Sequence, residues 1–259
     1  MNVTAFGRER MDPEPPSSRL QGAVKEYATR GIRLYLLLFV IEVGAFFVIA
    51  SLPFLPGEKA FFTSQSNQIN NEFQGVGFLG QFWGIFTNNF RIAAIELIPG
   101  LGAVFFAISL YETARIIEAI AGTDQASPVL VLVLLLLLFP HSYLELPAYA
   151  VATGEGLVLA YAIARWLLAT GPSPVSLKVE FWQLALNVVV VAAMLLVAAV
   201  FESAEIQLGA MWFWVTWLPF VGLVALAISL YRKLNKIRNE TRAELSSEAK
   251  KDDSSHLSV

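Results

Sequence analysis

Long, uninterrupted runs of apolar residues are the feature that most constrains how this chain can fold. Residues 33–53 and 180–201 are two such runs, and neither shows the alternation of polar and apolar residues that a membrane barrel strand needs. A helix crosses a bilayer with about 20 mostly apolar residues, which is the length of these runs. Because 56% of the chain is hydrophobic and only 15% is charged, we predict an integral membrane protein of the all-α class.

The apolar runs predict a polytopic helical membrane domain between two polar tails. We expect a cytoplasmic tail and interfacial helix over 1–32, a transmembrane domain over 33–231, and a charged cytoplasmic tail over 232–259. Residues 57–81 are polar and are expected to form a loop outside the hydrocarbon core. About six membrane segments are predicted, at 33–53, 91–121, 128–140, 144–168, 180–201 and 209–231.

The third predicted segment is short. Its apolar residues, 128–139, extend about 18 Å as a helix, whereas the hydrocarbon core is about 30 Å thick. The segment is therefore either a short or re-entrant pass, or the first part of one kinked span that continues to residue 168. The second alternative gives five passes instead of six.

Basic residues flank both ends of the predicted membrane domain. Lysine and arginine are enriched in cytoplasmic flanks, so both termini are expected in the cytoplasm, and six passes agree with this orientation. In that topology the acidic stretch 202–205 falls in an outside loop. The flanking residues are Arg19, Lys25, Arg30 and Arg33 at one end and Arg232, Lys233, Lys236, Arg238 and Arg242 at the other.

Several ionisable residues fall in or near the predicted spans, where each needs a partner, a cavity or the headgroups, because a charge at the bilayer centre costs at least about 2.5 kcal/mol. Three of them share one helical face at a spacing of three residues and are interpreted as a structural Glu-Arg-Glu ladder. The ionisable residues are Glu42, Glu96, Glu112, Arg115, Glu118, His141, Glu145, Glu155 and Arg165, and the ladder consists of Glu112, Arg115 and Glu118.

The most unusual polar site is the sequence "FPHSYLELP" at residues 139–147. His141 and Glu145 are four residues apart, so on a helix they would share one face and lie close enough to hydrogen-bond. Pro140 and Pro147 remove helical hydrogen bonds at membrane depth. The pair is therefore interpreted either as satisfying freed backbone groups or as lining a polar cavity used in transport or catalysis.

Two further groups of residues have structural interpretations. Asn88 and Asn89 precede the second predicted segment and are expected to cap it, with hydrogen bonding between helices as a second role, and Glu96 follows them within the same segment. Gly154 and Gly156 surround Glu155, and such small residues predict close packing of two helices.

The sequence lacks the patterns expected of an enzyme. There is no cysteine, which excludes disulfides and cysteine-held metals, and the first 30 residues show no signal-peptide core. A metal site would need Glu145, Glu155 and Glu96 beside His141, and the spacing of these residues in the sequence matches no metal-binding motif. Ser142 directly follows His141, so the two side chains diverge on a helix. We therefore expect no catalytic residues, no metal site, no cofactor and no nucleic-acid partner.

Two stretches together resemble the stage II sporulation protein M family. They are "IFTNNFRIAAIELIPGLGAVF" at 85–105 and "FPHSYLELPAYAVATGEGLVLAYAIAR" at 139–165. The matching positions are Asn88, Asn89, Pro140, His141 and Glu145. Ser142 stands where the family has glycine, and "YETARIIEA" at 111–119 lacks the family's Asn-Gly, so the chain resembles a divergent member.

The resemblance implies a multipass cell-membrane protein that acts as a scaffold or complex subunit, in the sporulating bacteria for extracytoplasmic peptidoglycan-degrading partners. Its partners would be the lipid bilayer and other membrane or envelope proteins, in a homo-oligomer or a hetero-complex. The rival hypothesis is a channel or transporter with a polar path through His141 and Glu145, joined by Glu155 and Glu96.

Overall fold

The computed structural model describes residues 16–121, 138–169, 177–233 and 235–236. All regular secondary structure in these ranges is helical, which confirms the all-α class. The helices are α1 Pro16–Ala50, α2 Glu58–Phe73, α3 Phe78–Glu96, α4 Gly102–Ala121, α5 Ser142–Leu168 and α6 Leu177–Trp212. A short 3₁₀ helix, Phe213–Thr216, leads directly into α7, residues 217–233, and the two together form the apolar stretch Phe213–Lys233.

Helix α1 joins two elements that the sequence treats as separate. The predicted interfacial helix and the first predicted span form one continuous helix, whose apolar part is Gly31–Ala50. Leu36, Leu37 and Val40 are exposed on its surface. In a membrane protein such side chains are suited to contact lipid.

The expected loop at 57–81 is largely helical, so that prediction is wrong. Helix α2 starts at Glu58 after the positive-φ residue Gly57 and continues for 16 residues. Phe62 and Ser66 face the protein, whereas Asn67, Gln68 and their polar neighbours are exposed. Composition suggested a loop because α2 is polar on average, but one buried face is enough to dock an amphipathic helix.

The predicted second segment, 91–121, is also not one helix. Helix α3 starts well upstream, at Phe78, and ends at Glu96, and α4 begins at Gly102. Pro99 and the positive φ of Gly100 lie in the break. A left-handed residue directly after a proline turns the chain fully at this break.

Among the described residues, four helices are long and apolar enough to cross a membrane: Gly31–Ala50, Ser142–Leu168, Leu177–Gly209 and Phe213–Lys233. The predicted segment 128–140 lies almost entirely outside the described residues. The number of six segments and the cytoplasmic location of both termini stay predictions.

Helix α5 is the centre of the packing, because it contacts α1, α3, α4 and α6. Its buried face consists largely of small residues, and Ala148 and Ala152 pack with Ala93 of α3 and with Val191 and Leu195 of α6. Small side chains let helix backbones approach closely. This close approach brings polar groups from four helices together.

Candidate functional site

The backbone break before α5 is stabilised by contacts from two parts of the chain. Glu145 N–H donates to the His141 carbonyl at 2.9 Å, which forms the first turn of α5. Trp217 Nε1 of α7 donates to the Leu138 carbonyl at 2.7 Å. Pro140 between them is fully buried. The break is thus a packed structural feature, and Trp217, not the side chain of His141 or Glu145, satisfies the Leu138 carbonyl.

Four ionisable side chains form what we call the His141 cluster: His141, Glu145, Glu202 and Glu205. His141 Nδ1 contacts Glu205 Oε2. One ring nitrogen of His141 and one carboxylate oxygen each of Glu145 and Glu202 all lie within 4.8 Å of one another. The start of α5 and the end of α6 therefore meet through three carboxyl groups and one imidazole.

The location of Glu202 and Glu205 corrects the prediction that 202–205 is a loop. Both residues lie within α6, which continues to Trp212 with a break in its helical geometry at Gly209. Glu205 and Ser203 are buried. Glu202 and Glu205 are three residues apart, so both can face the start of α5. The acidic composition suggested solvent, and only the tertiary contact with His141 shows otherwise.

Asn89 connects the His141 cluster to α3. Its Nδ2 donates to Glu145 Oε1 at 3.0 Å, and the Tyr149 hydroxyl donates to the same oxygen at 3.1 Å. Asn88 is exposed and donates from Nδ2 to Asn89 Oδ1 at 3.2 Å. The expected capping role is wrong because α3 starts at Phe78, which places both asparagines inside the helix. The second expected role, hydrogen bonding between helices, is confirmed for Asn89.

Glu96 occupies a separate polar layer between α3, α4 and α5. It is completely buried and accepts hydrogen bonds from Ser109 Oγ at 2.9 Å and from Thr153 Oγ1 at 3.4 Å. A carboxyl group buried away from water needs hydrogen-bond donors from the protein, and these two hydroxyl groups supply them.

Glu155 is buried in a third layer, where the Tyr35 hydroxyl of α1 donates to its Oε1. The glycines on either side allow this approach. A Cβ added at Gly154 would lie 2.6 Å from the Tyr35 ring, and one at Gly156 would lie 2.6 Å from the Glu96 carbonyl oxygen. The predicted close packing at these glycines is confirmed.

The Arg115 cluster, consisting of Arg115, Glu58, Tyr111 and Glu118, joins α4 to α2 and to the chain before it. Arg115 Nη1 lies 2.7 Å from Glu118 Oε2, and its Nε lies 3.4 Å from Glu58 Oε1. Nη1 also donates to the Leu52 carbonyl at 2.8 Å. The predicted ladder is thus formed only in part, because Glu112 is exposed and Glu58 supplies the second acidic partner.

Glu58 is held as a carboxylate by its donors. The Tyr111 hydroxyl donates to Oε1 and the Leu55 N–H donates to Oε2 at 2.6 Å. The Tyr111 hydrogen bond, followed by the Leu55 N–H and the charge of Arg115, lowers the pKa of Glu58 below its ordinary value. This pairing fixes the start of α2.

The structure groups the predicted site residues differently from the sequence. His141 and Glu145 belong to one cluster, but each bonds to other residues instead of to its partner. Glu96 and Glu155 lie in other layers. Sequence reasoning missed the partners Glu202, Glu205, Tyr149, Ser109 and Thr153. The spacing of Glu202 and Glu205 directly after an apolar run is the one signal that could have indicated the first two.

Chemically, the His141 cluster can hold a proton or a cation, since imidazole nitrogen and carboxylate oxygen are both proton acceptors and metal ligands. Of the carboxylates considered as ligands from the sequence, only Glu145 lies there; Glu96 and Glu155 do not.

Comparison with known proteins gives one finding. A family model described as stage II sporulation protein M matches residues 23–204, which is more than half of the chain. No curated protein and no solved structure matches. The matched range includes most of α1, all of α2 to α5 and most of α6, with His141, Glu145 and Glu202. The chain is a membrane protein that belongs to the stage II sporulation protein M family.

Proposed function

We propose that this protein is a non-enzymatic, multipass scaffold or complex subunit of the cell membrane, which assembles with other membrane or envelope proteins or with copies of itself. The observation that carries the proposal is the position of α2. This polar helix lies outside the four candidate spans and is fixed to α4 by buried contacts. A helix held rigidly in this way can present polar groups to a partner at a low cost in conformational entropy.

The contacts of α2 support this role. Phe62 is buried and packs edge-on against Tyr111, with ring centroids 6.3 Å apart. On the opposite side Asn67, Asn71 and Glu72 are exposed. Amide and carboxylate groups give hydrogen-bonding specificity to a contact outside the lipid.

The interior supports a scaffold as well. Hydrogen bonds join α3 to α5 through Asn89 and Glu145, and α1 to α5 through Tyr35 and Glu155. Groups that bond to each other across helices stabilise one arrangement of the bundle. Such a bundle is suited to hold partners in place.

Photocrosslinking in cells tests the proposal. A photoreactive residue at Asn67 or Asn71 should give defined protein adducts, whereas one at Leu36, which is exposed on the apolar surface of α1, should give mainly lipid adducts. Purification in mild detergent should retain a partner or an oligomer. No adduct at either α2 position, together with a strictly monomeric, partner-free protein, would contradict the proposal.

A channel or transporter is the second candidate, and the His141 cluster favours it, because carboxyl groups beside a histidine between membrane helices occur along proton and ion pathways. Vesicles containing the protein would then show a pH-dependent flux that His141→Ala or Glu145→Gln abolishes. A flux that neither substitution changes would remove this candidate.

A further inference from the structure

The His141 cluster has an excess of acidic groups over its one basic partner. Glu145, Glu202 and Glu205 all lie near His141, which carries at most one positive charge. Carboxylates at such short range repel each other, and low-dielectric surroundings strengthen the repulsion. A cation bound between them would remove this repulsion.

Within the described residues, one carboxylate oxygen of the cluster lacks a partner. Glu202 Oε2 is buried and accepts no hydrogen bond within the described part of the chain. Buried polar atoms are normally satisfied, so an orphaned oxygen on a carboxylate of this cluster is available to a further ligand.

The other ligand atoms are oriented by neighbouring groups. Glu205 contacts Nδ1 of His141, and the second oxygen of Glu205 accepts a hydrogen bond from Thr216 Oγ1 at 3.4 Å. When Nδ1 donates to a carboxylate, the lone pair of the ring is on Nε2. Histidine ligands of metals are typically held by such a second carboxylate.

Glu145 is oriented in the same way. Asn89 Nδ2 and the Tyr149 hydroxyl both donate to its Oε1, at 3.0 Å and 3.1 Å. Two donors on one oxygen fix the plane of the carboxylate and leave its Oε2 for another contact. Outer contacts of this kind position ligating carboxylates in metal sites.

We propose that His141, Glu145 and Glu202 bind a divalent transition-metal ion, with Glu205, Asn89 and Tyr149 orienting the ligands. One imidazole and two carboxylates suit Zn²⁺, Mn²⁺ or Fe²⁺. Three ligand atoms at about 2.0–2.2 Å from one ion lie about 3.3–3.8 Å from one another. The present separations are within 4.8 Å, so binding needs them to close by about 1–1.5 Å. The proposal revises the sequence-based expectation that the chain has no metal site.

The ion would connect the start of α5 to the end of α6, because His141 and Glu145 would bind it from α5 and Glu202 from α6. These are the elements next to the break at Pro140 and the break in α6 at Gly209. The site is therefore structural, and it stands whether the protein proves to be a scaffold or a transporter.

The test uses the full-length protein in detergent. After chelation and dialysis, Zn²⁺, Mn²⁺ or Fe²⁺ (anaerobically) is added and bound metal is measured by elemental analysis, with the thermal midpoint as a second readout. We expect one ion per chain and a higher midpoint in the presence of metal. Binding of all three ions at less than one tenth of an equivalent by a folded protein would overturn the proposal.

Isosteric variants identify the ligands. Glu202→Gln should weaken metal binding at least tenfold, whereas Glu180→Gln should leave it unchanged. Glu180 is the matched control because it lies on the same helix, has a buried Oε2 without a partner among the described residues, and is outside the cluster. Equal affinities for Glu202→Gln and the unmodified protein would overturn the assignment.

A third variant covers the case in which Glu202→Gln fails to fold. Glu205→Gln keeps all three ligands but replaces the carboxylate that contacts Nδ1 of His141. It should weaken binding about tenfold and should change the visible spectrum of the Co²⁺-loaded protein. An unchanged affinity and spectrum would contradict the orienting role of Glu205.

Discussion

The Arg115 cluster and the His141 cluster are both ionisable groups held largely inside the protein, but they differ in charge balance. Arg115 contacts two carboxylates and a backbone carbonyl, and its guanidinium lies 5.0 Å from the centroid of the Phe54 ring. In the His141 cluster three carboxyl groups share one imidazole, and an oxygen of Glu202 has no partner within the described residues.

The difference in charge balance indicates different roles for the two clusters. The Arg115 cluster supplies the donors that its carboxylates need, so it can fix α2 and the chain before it to α4 without any external ion. The His141 cluster has acceptors in excess, which is the composition of a binding site. The following predictions separate a structural ion pair from a site that needs a cation.

The largest effect is expected from Arg115→Met. It leaves Glu118 buried without its cation and frees the Leu52 carbonyl, so stability should fall by about 3 kcal/mol. Thermal unfolding in detergent measures the loss. A chelator should leave the size of the loss unchanged, because no metal takes part in this cluster.

Gly156→Ala should lower the free energy of unfolding by about 2 kcal/mol, because the added methyl group meets the Glu96 carbonyl oxygen and displaces α5 from α3. Hydrogen exchange should increase near His141, at the start of α5, and stay unchanged around Arg115. Gly44→Ala is the control, since nothing lies within 4 Å of its added Cβ. Equal effects of the two substitutions would contradict the packing argument.

The same change of Glu to Gln should have different effects in the two clusters. Glu118→Gln weakens a charge-assisted hydrogen bond of 2.7 Å and should cost about 1 kcal/mol. In the presence of chelator, Glu202→Gln should not lower the stability of the protein. It removes one carboxylate from a cluster in which carboxylates outnumber the single imidazole. A loss of stability from Glu202→Gln without metal would show that its carboxylate has a partner within the protein.

The smallest effect is expected from Tyr111→Phe, and it depends on pH. The folded-state pKa of Glu58 is below its ordinary value, so its stabilising contribution is present above the unfolded-state pKa, about 4.3, and is lost as pH falls through the folded-state pKa. Tyr111→Phe should reduce this contribution. The difference between variant and unmodified protein, measured as protease sensitivity near Glu58, should therefore be larger at pH 7 than at pH 3.

The sequence predicted the fold class and the importance of the segment at 139–147, because hydropathy and proline act locally. It placed His141 and Glu145 in one polar region correctly, and it interpreted Gly154 and Gly156 as packing residues correctly. It failed for α2, because a polar average hides one buried face, and for the capping role of Asn88 and Asn89, because α3 starts upstream at Phe78.

By itself the sequence determined that the chain is a helical membrane protein with a proline break before its central helix, and it carried the family resemblance that the family model confirms. Only the tertiary structure decided which ionisable groups meet. Glu205 is 64 residues from His141, and Glu58 is 53 residues from Tyr111. Such contacts depend on how helices distant in sequence pack against one another, and no local pattern of residues encodes that arrangement.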